Sequence, residues 1–162
     1  MRMIITQNDF VRLGPVAQKE LLAMWQTSTA TTQDSLVLPS SAANDPRYAG
    51  IDMGHVVDLS PEQVEEWMKA AHEKTEAGLR YFAEHGPIVD AVALQEAGVE
   101  NLRHFQSRTT TRTRTITGDK NAFLLSWDTW KYAPDNPERV ISGRYLVSPT
   151  THASLRKYFG LD

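Results

Sequence analysis

Apolar side chains recur every three or four positions between residues 61 and 85, which is the period of an α-helix. This pattern predicts one long amphipathic helix. Ser60 and Gln63 form a capping-box pair at its start, and Gly86 is placed to end it in a left-handed conformation. Gly78 lies in its middle, where glycine weakens a helix, so we expect a bend there.

Shorter elements are predicted on the C-terminal side of this helix. Asp90 is a suitable cap for a compact helix that Gly98 closes, and Ser148 is a suitable cap for a final helix. The predicted elements are a strand at 88–89, the compact helix at 91–97, hairpin strands at 122–127 and 139–147 with a loop over 128–138, and the last helix at 150–159.

The N-terminal part of the chain has a different character. Residues 1–27 predict two short helices, and the second has an apolar side that includes Leu22 and Trp25. Helices of this length are marginal alone, so they must pack on the main domain or on a second copy. Residues 28–53 are rich in Ser, Thr, Asn and Pro and lack a helical period, which is typical of a linker. The main domain is then expected at 54–162.

The charge of the chain changes sign along its length. The first 100 residues hold 7 basic and 15 acidic side chains, whereas the last 62 hold 10 basic and 5 acidic ones. Basic residues are densest between Asn101 and Gly118, where four arginines and one histidine occur without an acid. Such an asymmetry indicates a surface that faces a polyanion. An ordinary solvated arginine face is the alternative interpretation.

This basic stretch fits two conformations. A helix from Asn101 to about Arg112 turns Leu102 and Phe105 toward a core and presents Arg, Ser, Thr and His side chains outward. The end of the stretch is rich in threonine, which is a poor helix former. The Thr-Arg alternation over 111–117 therefore also fits a strand, and the sequence leaves both conformations open there.

Three aromatic residues of the hairpin also have two interpretations. Trp127, Trp130 and Tyr132 can stack on nucleobases, as aromatic side chains do in proteins that bind single strands. They can equally close a core beneath the hairpin. The second arrangement is the more common one, and we predict it.

Several kinds of chemistry find no support in the sequence. The chain has no cysteine, which excludes disulfides, a thiolate nucleophile and Cys-ligated zinc. The five histidines show no metal-ligand spacing, and neither a nucleophile elbow nor a glycine-rich phosphate loop is present. We therefore predict no enzymatic activity, no metal and no cofactor. No apolar run suits a signal peptide or a membrane span, so a soluble, cytoplasmic protein without a membrane partner is expected.

The order of elements from Ser60 to Leu161 is helix, strand, helix, tight turn, helix and hairpin. Leu94 precedes the turn, Ala97-Gly98-Val99 form it, and Leu102 and Phe105 follow at inward positions. This arrangement resembles the winged helix-turn-helix superfamily of DNA-binding domains. The resemblance implies an α+β, mainly helical fold, in which a winged helix-turn-helix domain carries a two-helix N-terminal appendage on a long linker.

The same resemblance implies a function. Segment 101–114 is then the recognition helix, which lies in a major groove, and hairpin 122–147 is the wing. We expect a sequence-specific double-stranded DNA-binding protein that regulates transcription and forms a homodimer through residues 1–27. A winged-helix adaptor that binds protein and no DNA is the alternative, because a fold does not fix a function. The wing tip carries acids as well as bases and is not assigned to DNA. The side chains expected at DNA are Arg103, His104, Ser107, Arg108, Thr110, Thr111, Arg112, Arg114 and Lys120.

Overall fold

The computed structural model describes residues 41–162, and the two helices predicted over 1–27 lie outside them. The described residues form an α+β fold, as the sequence predicts, and their three strands form one antiparallel sheet. Two short 3-10 helices, Ser41–Asn44 and Pro46–Tyr48, come first. The α-helices are α1 (Pro61–Met68), α2 (Glu73–His85), α3 (Ala91–Glu96), α4 (Leu102–Thr117) and α5 (Pro149–Tyr158). The strands are β1 (Ile88–Asp90), β2 (Ser126–Ala133) and β3 (Asn136–Leu146).

The prediction of one long helix over 61–85 is wrong, because the structure has α1 and α2 in its place. α1 begins with the predicted capping box, in which Ser60 Oγ accepts the Gln63 amide and Gln63 Oε1 accepts the Ser60 amide. A second cap then starts α2, where His72 Nδ1 accepts the amide of Lys74 at 3.3 Å. The apolar period continues across the break, so the pattern contains no sign of it.

Two glycines, one within α2 and one directly after it, have roles that differ from the predicted ones. The helix continues through Gly78, which is buried, and a Cβ there would lie only 2.5 Å from Phe105 Cε2. Gly78 therefore allows α4 to approach α2 closely. Gly86 follows α2 with φ −73° and ψ −171°, which is extended backbone, so the predicted left-handed stop is wrong.

The strand, cap and helix predicted after α2 are confirmed. β1 contains Ile88 and Val89, and Asp90 Oδ1 accepts the amides of Val92 and Ala93 at 2.8 and 3.1 Å at the start of α3. These bonds satisfy amides that have no partner within the helix. α3 is therefore held directly against the end of β1, and a short turn leads from it into α4.

α4 is helical over its whole length, so the strand alternative for 111–117 is wrong. Thr113 is fully buried and accepts a hydrogen bond from the indole nitrogen of Trp67. The hydroxyls of Thr115 and Thr117 donate to carbonyls four residues earlier, an arrangement that threonine adopts within helices. Burial of one threonine and internal bonding of the others outweigh their weak helix propensity.

The hairpin strands are longer than predicted and their connection is shorter. The strand predicted over 122–127 is wrong for 122–125, which precede β2. β2 begins at Ser126 and β3 at Asn136, so most of the predicted loop 128–138 is strand. Residues 134–139 at the distal end of the hairpin are all exposed and lack the apolar–polar alternation that marks strands. β3 is the central strand in the order β1-β3-β2. A register shift after Asp128, with Thr129 at φ 51°, forms a bulge in β2.

One hydrophobic core joins the five α-helices to the sheet. Phe105 of α4, predicted to point inward, is buried between the rings of Phe82 and Tyr145, each with its centroid 6.4 Å away. The core thus fixes the rotation of α4 about its axis. The largest fully buried side chains of this core are Leu59, Trp67, Leu79, Phe82, Leu94, Leu124, Tyr145 and Leu155.

Residues 41–53, which fall in the segment predicted as a linker, pack on the same unit. Tyr48 is buried, and its hydroxyl donates to the carbonyl of Val147 at 2.7 Å. Burial raises the pKa of Tyr48 to about 12. Ser41 Oγ accepts the amide of Thr150 at 3.1 Å. Both contacts join the beginning of the described residues to the start of α5.

Candidate nucleic-acid interface

The outward face of α4 carries most of the residues predicted to meet DNA. None of the sixteen residues of α4 is acidic. Two of the nine predicted residues, Thr110 and Arg112, are only partly exposed, and Lys120 is exposed in the turn after α4. The remaining members are fully on the surface of the helix: Arg103, His104, Ser107, Arg108, Thr111 and Arg114.

The first turn of α4 is fixed by two polar contacts. Asn101 Oδ1 accepts the amide of His104 at 2.9 Å and caps the helix. On the other side, the hydroxyl of Tyr145 donates to Gln106 Oε1 at 3.3 Å. Burial raises the pKa of Tyr145, so this hydroxyl keeps its proton. The N-terminal half of α4 is therefore attached to both the preceding turn and β3.

Arg112 has a structural partner inside the protein. Its Nε donates to the carbonyl of Trp67 at 3.2 Å, and its Nη2 donates to the carbonyl of Glu66 at 2.8 Å. These carbonyls belong to the last turn of α1, where a helix leaves carbonyls without partners and attracts cations. Lys69 forms an ion pair with the Glu66 carboxylate and lowers its pKa. Arg112 is thus a cap for α1, and a role at DNA would require it to leave that position.

Arg114 is also held by the protein, although its side chain stays on the surface. Its Nε donates to the carbonyl of Ala122 at 3.3 Å, and its guanidinium lies 5.0 Å from the centre of the Phe123 ring. These contacts direct Arg114 toward the segment before β2. Its charge is still available near the C-terminal end of α4.

Arg103 and Arg108 differ from the other two arginines. Within residues 41–162, neither side chain forms a hydrogen bond, an ion pair or a ring contact. Unpaired guanidinium groups on a surface remain available for an external anion, and Arg binds phosphate and carboxylate groups in a bidentate manner. Of the four arginines of α4, these two are therefore the strongest candidates for contacts with DNA.

A cleft of about 360 Å³ lies between the start of α2 and the N-terminal half of α4. Lys74, His72, His104 and Arg108 line it, so it is bordered by several nitrogen donors. Glu100 also lines it, and its carboxylate is paired with Lys74 at 3.0 Å. Lys74 was not among the predicted site residues, because a continuous helix over 61–85 places it on an ordinary solvated face.

A second and larger groove, of about 630 Å³, lies between α4 and the hairpin. Trp130 lines it and packs against the core, with its ring centre 5.0 Å from that of Tyr145 and its edge against the backbone of Gly143. This confirms for Trp130 the prediction of a core beneath the hairpin. Trp127 and Tyr132 also line the groove but are 44% and 50% exposed, so the prediction is wrong for them.

The hairpin itself carries paired charges. Arg139 forms an ion pair with Asp135 at 3.1 Å near the tip, and Arg144 forms a two-point hydrogen bond with Asp128 closer to the core. The Asp128 carboxylate raises the pKa of Arg144. Internal pairing of this kind leaves little net positive charge at the tip, as the mixed composition of the wing indicates.

No family model, curated protein or solved structure matches the chain. Across residues 41–162, no three histidine, aspartate or glutamate side chains are grouped closely enough to hold a metal ion. No helix within the same residues is both long and apolar enough to cross a bilayer.

Proposed function

We propose that the protein binds double-stranded DNA in a sequence-specific manner and regulates transcription, with α4 as recognition helix and the β2–β3 hairpin as wing. The observation that carries the proposal is the outward face of α4, where Arg103 and Arg108 are unpaired and no carboxylate interrupts the helix. The order of elements and the sheet order β1-β3-β2 support a winged-helix arrangement. In helix-turn-helix domains the second helix of the motif, here α4, lies in the major groove.

The outward face divides into positioning and reading positions. With 3.6 residues per turn, Ser107 and Thr111 form a row between Arg103 on one side and Arg108 on the other. Arginines at the edges of a helix contact the phosphates on the two sides of a groove, whereas hydroxyl side chains in the centre reach base edges. We therefore assign phosphate binding to the two arginines and base reading to the central row, with His104 beside it.

The proposal includes a homodimer and a cytoplasmic location. The dimer contacts proposed for residues 1–27 lie outside the described residues. A two-fold dimer would let two recognition helices read half-sites about one DNA turn apart. Light scattering on the full chain and on a chain without residues 1–27 tests this part, since two monomeric masses would contradict it.

The decisive experiment is selection of bound duplexes from a random library, followed by affinity measurements at several salt concentrations. An Arg103→Ala/Arg108→Ala variant is expected to reduce the slope of log affinity against log salt by about 0.9 for each lost phosphate contact. Arg139→Ala is the matched control, because Arg139 is an exposed arginine that is already paired with Asp135. A protein that is not retained on heparin and selects no sequence would contradict DNA binding and favour the adaptor alternative.

A further inference from the structure

The groove between α4 and the hairpin has the chemistry of a site for a planar ring. Trp127 and Tyr132 lie on the same hairpin strand, and each leaves about half of its surface exposed while lining this one groove. Both side chains contribute exposed apolar area to one groove, and clustered exposed apolar area marks binding sites where singly exposed side chains do not. Their flat faces offer stacking area that does not depend on the identity of the ring that binds.

The polar lining of the groove suits nucleobases better than an apolar peptide. The amide side chains of Gln95, Asn101 and Gln106 line it, and side-chain amides pair with base edges. Asn101 and Gln106 already accept hydrogen bonds through their oxygens, at His104 N and Tyr145 Oη respectively. Their amide nitrogens thus remain as donors toward acceptor atoms on a base.

The charges at the groove determine how a nucleotide would be oriented. Glu138 lines the groove on the hairpin side. Glu100 and Arg103 line it near the start of α4, and the Glu100 carboxylate is paired with Lys74. A carboxylate opposes a phosphate group but accepts hydrogen bonds from the amino groups of bases. A nucleotide is therefore accommodated with its base against an exposed aromatic ring and its phosphate near the unpaired guanidinium of Arg103.

We propose that this groove holds unstacked nucleobases of a DNA strand, which stack on Trp127 and on Tyr132 while Arg103 contacts a phosphate of that strand. The inference rests on the proposed DNA binding for the position of the strand along α4. A base within an intact duplex cannot enter, because it is stacked on both faces. The groove therefore adds binding of an unpaired base to the reading of a duplex. A free nucleotide offers the same base and phosphate groups as a DNA strand, and the experiment distinguishes these two ligands.

The test measures binding of a labelled 12-nucleotide single strand, and of the same sequence as a duplex, to the full chain. We expect Trp127→Leu and Tyr132→Leu each to weaken single-strand binding by about fivefold or more, since one stacked base contributes this much. Trp127→Phe keeps a stacking ring and should restore binding. Tyr158→Leu is the matched control, because Tyr158 is 41% exposed on α5 and is not among the residues that line the groove. Melting temperatures verify that every variant is folded.

The outcomes separate this inference from the proposed function. Duplex affinity should depend on Arg108 and be nearly unchanged in the Trp127 and Tyr132 variants. Single-strand affinity that is unchanged in both groove variants, or equally weakened in Tyr158→Leu, would overturn the groove proposal while leaving duplex binding untouched. Single-strand binding that needs Trp127 without any duplex binding would support the groove and contradict the regulator. In a parallel arm with deoxyadenosine monophosphate, quenching of tryptophan emission that Trp127→Leu removes would identify a free nucleotide as a ligand of the same site.

Discussion

The indole nitrogen of Trp67 donates a hydrogen bond to the hydroxyl of Thr113 over 3.1 Å, and both side chains are buried. The bond connects the last turn of α1 to the C-terminal half of α4. Because neither group reaches solvent, loss of one leaves the other without a partner. This contact, together with Phe105, sets the rotation of α4 and hence the side chains that face outward.

Replacement of Thr113 by valine keeps the shape of the side chain and removes the acceptor for Trp67. We expect a loss of about 1–3 kcal/mol in the free energy of unfolding, the cost of a buried donor without a partner. Urea unfolding followed by circular dichroism measures it. Thr115→Val is the control, since Thr115 is exposed on the same helix and its replacement should change stability by less than about 0.5 kcal/mol. Equal effects of both changes would mean that the indole bond contributes nothing.

Arg112 and Arg108 are expected to separate stability from binding. Arg112→Ala removes two hydrogen bonds to the end of α1 and should lower the free energy of unfolding by about 1 kcal/mol, because the site is partly solvated. Arg108→Ala should leave stability unchanged and reduce the salt slope of DNA binding by about 0.9. Thermal melts and binding isotherms on both variants test the pair. The reverse pattern would show that Arg112 leaves α1 to bind DNA.

Gly78 is expected to resist a substitution that normally stabilises a helix. In an open helix, Gly→Ala gains about 1 kcal/mol from helix propensity. Here the new Cβ would meet the Phe105 ring at 2.5 Å and Val99 Cγ2 at 3.0 Å, so we expect a net loss of about 1–2 kcal/mol. Denaturant unfolding of Gly78→Ala, Phe105→Leu and the double variant shows whether the two changes in the free energy of unfolding are additive. Leucine in place of the Phe105 ring should relieve the clash, and strictly additive losses would contradict the packing role of Gly78.

We expect the stability of the protein to depend on pH because of His152 in α5. Burial, and secondarily the positive charge of Arg156, lower the pKa of His152 below 6.5. The unfolded chain binds a proton near pH 6.5 and the folded chain resists it, so stability falls as the pH decreases from about 6.5 toward the folded pKa. Between about pH 7 and pH 5 we expect the melting temperature to fall less in His152→Gln than in the unchanged protein. Replacement of exposed His55 is the control, and identical profiles for His152→Gln and the unchanged protein would refute the assignment.

Local signals in the sequence predict the elements that begin with side-chain caps. Ser60, Asp90 and Ser148 each accept amides within the next three residues, and the helices after them begin where the sequence predicts. At the break between α1 and α2 the cap is His72, which accepts an amide through a ring nitrogen. Histidine is not one of the residue types that usually cap helices. The break therefore cannot be recognised from a cap pattern.

The candidate site could be predicted only as far as local sequence determines it. The basic face of α4 follows from helical period, and its inward side is confirmed by buried Leu102 and Phe105. The partner of Arg112 could not be predicted, because it is a pair of backbone carbonyls more than forty residues away in the chain. The exposure of Trp127 and Tyr132 depends equally on the course of the hairpin past α4, which no short segment encodes.

The contacts between residues 41–59 and the start of α5 have a consequence for how the chain acquires its structure during synthesis. The Tyr48 hydroxyl donates to the carbonyl of Val147, which is 99 residues later in the chain. The Leu59 carbonyl accepts the Ser154 hydroxyl, which is 95 residues later. Loops of this length close slowly, and the N-terminal partners leave the ribosome first. Until residues 147–154 have emerged, Tyr48 and Leu59 have no native partner for these bonds. The fold can therefore be completed only after α5 has been translated.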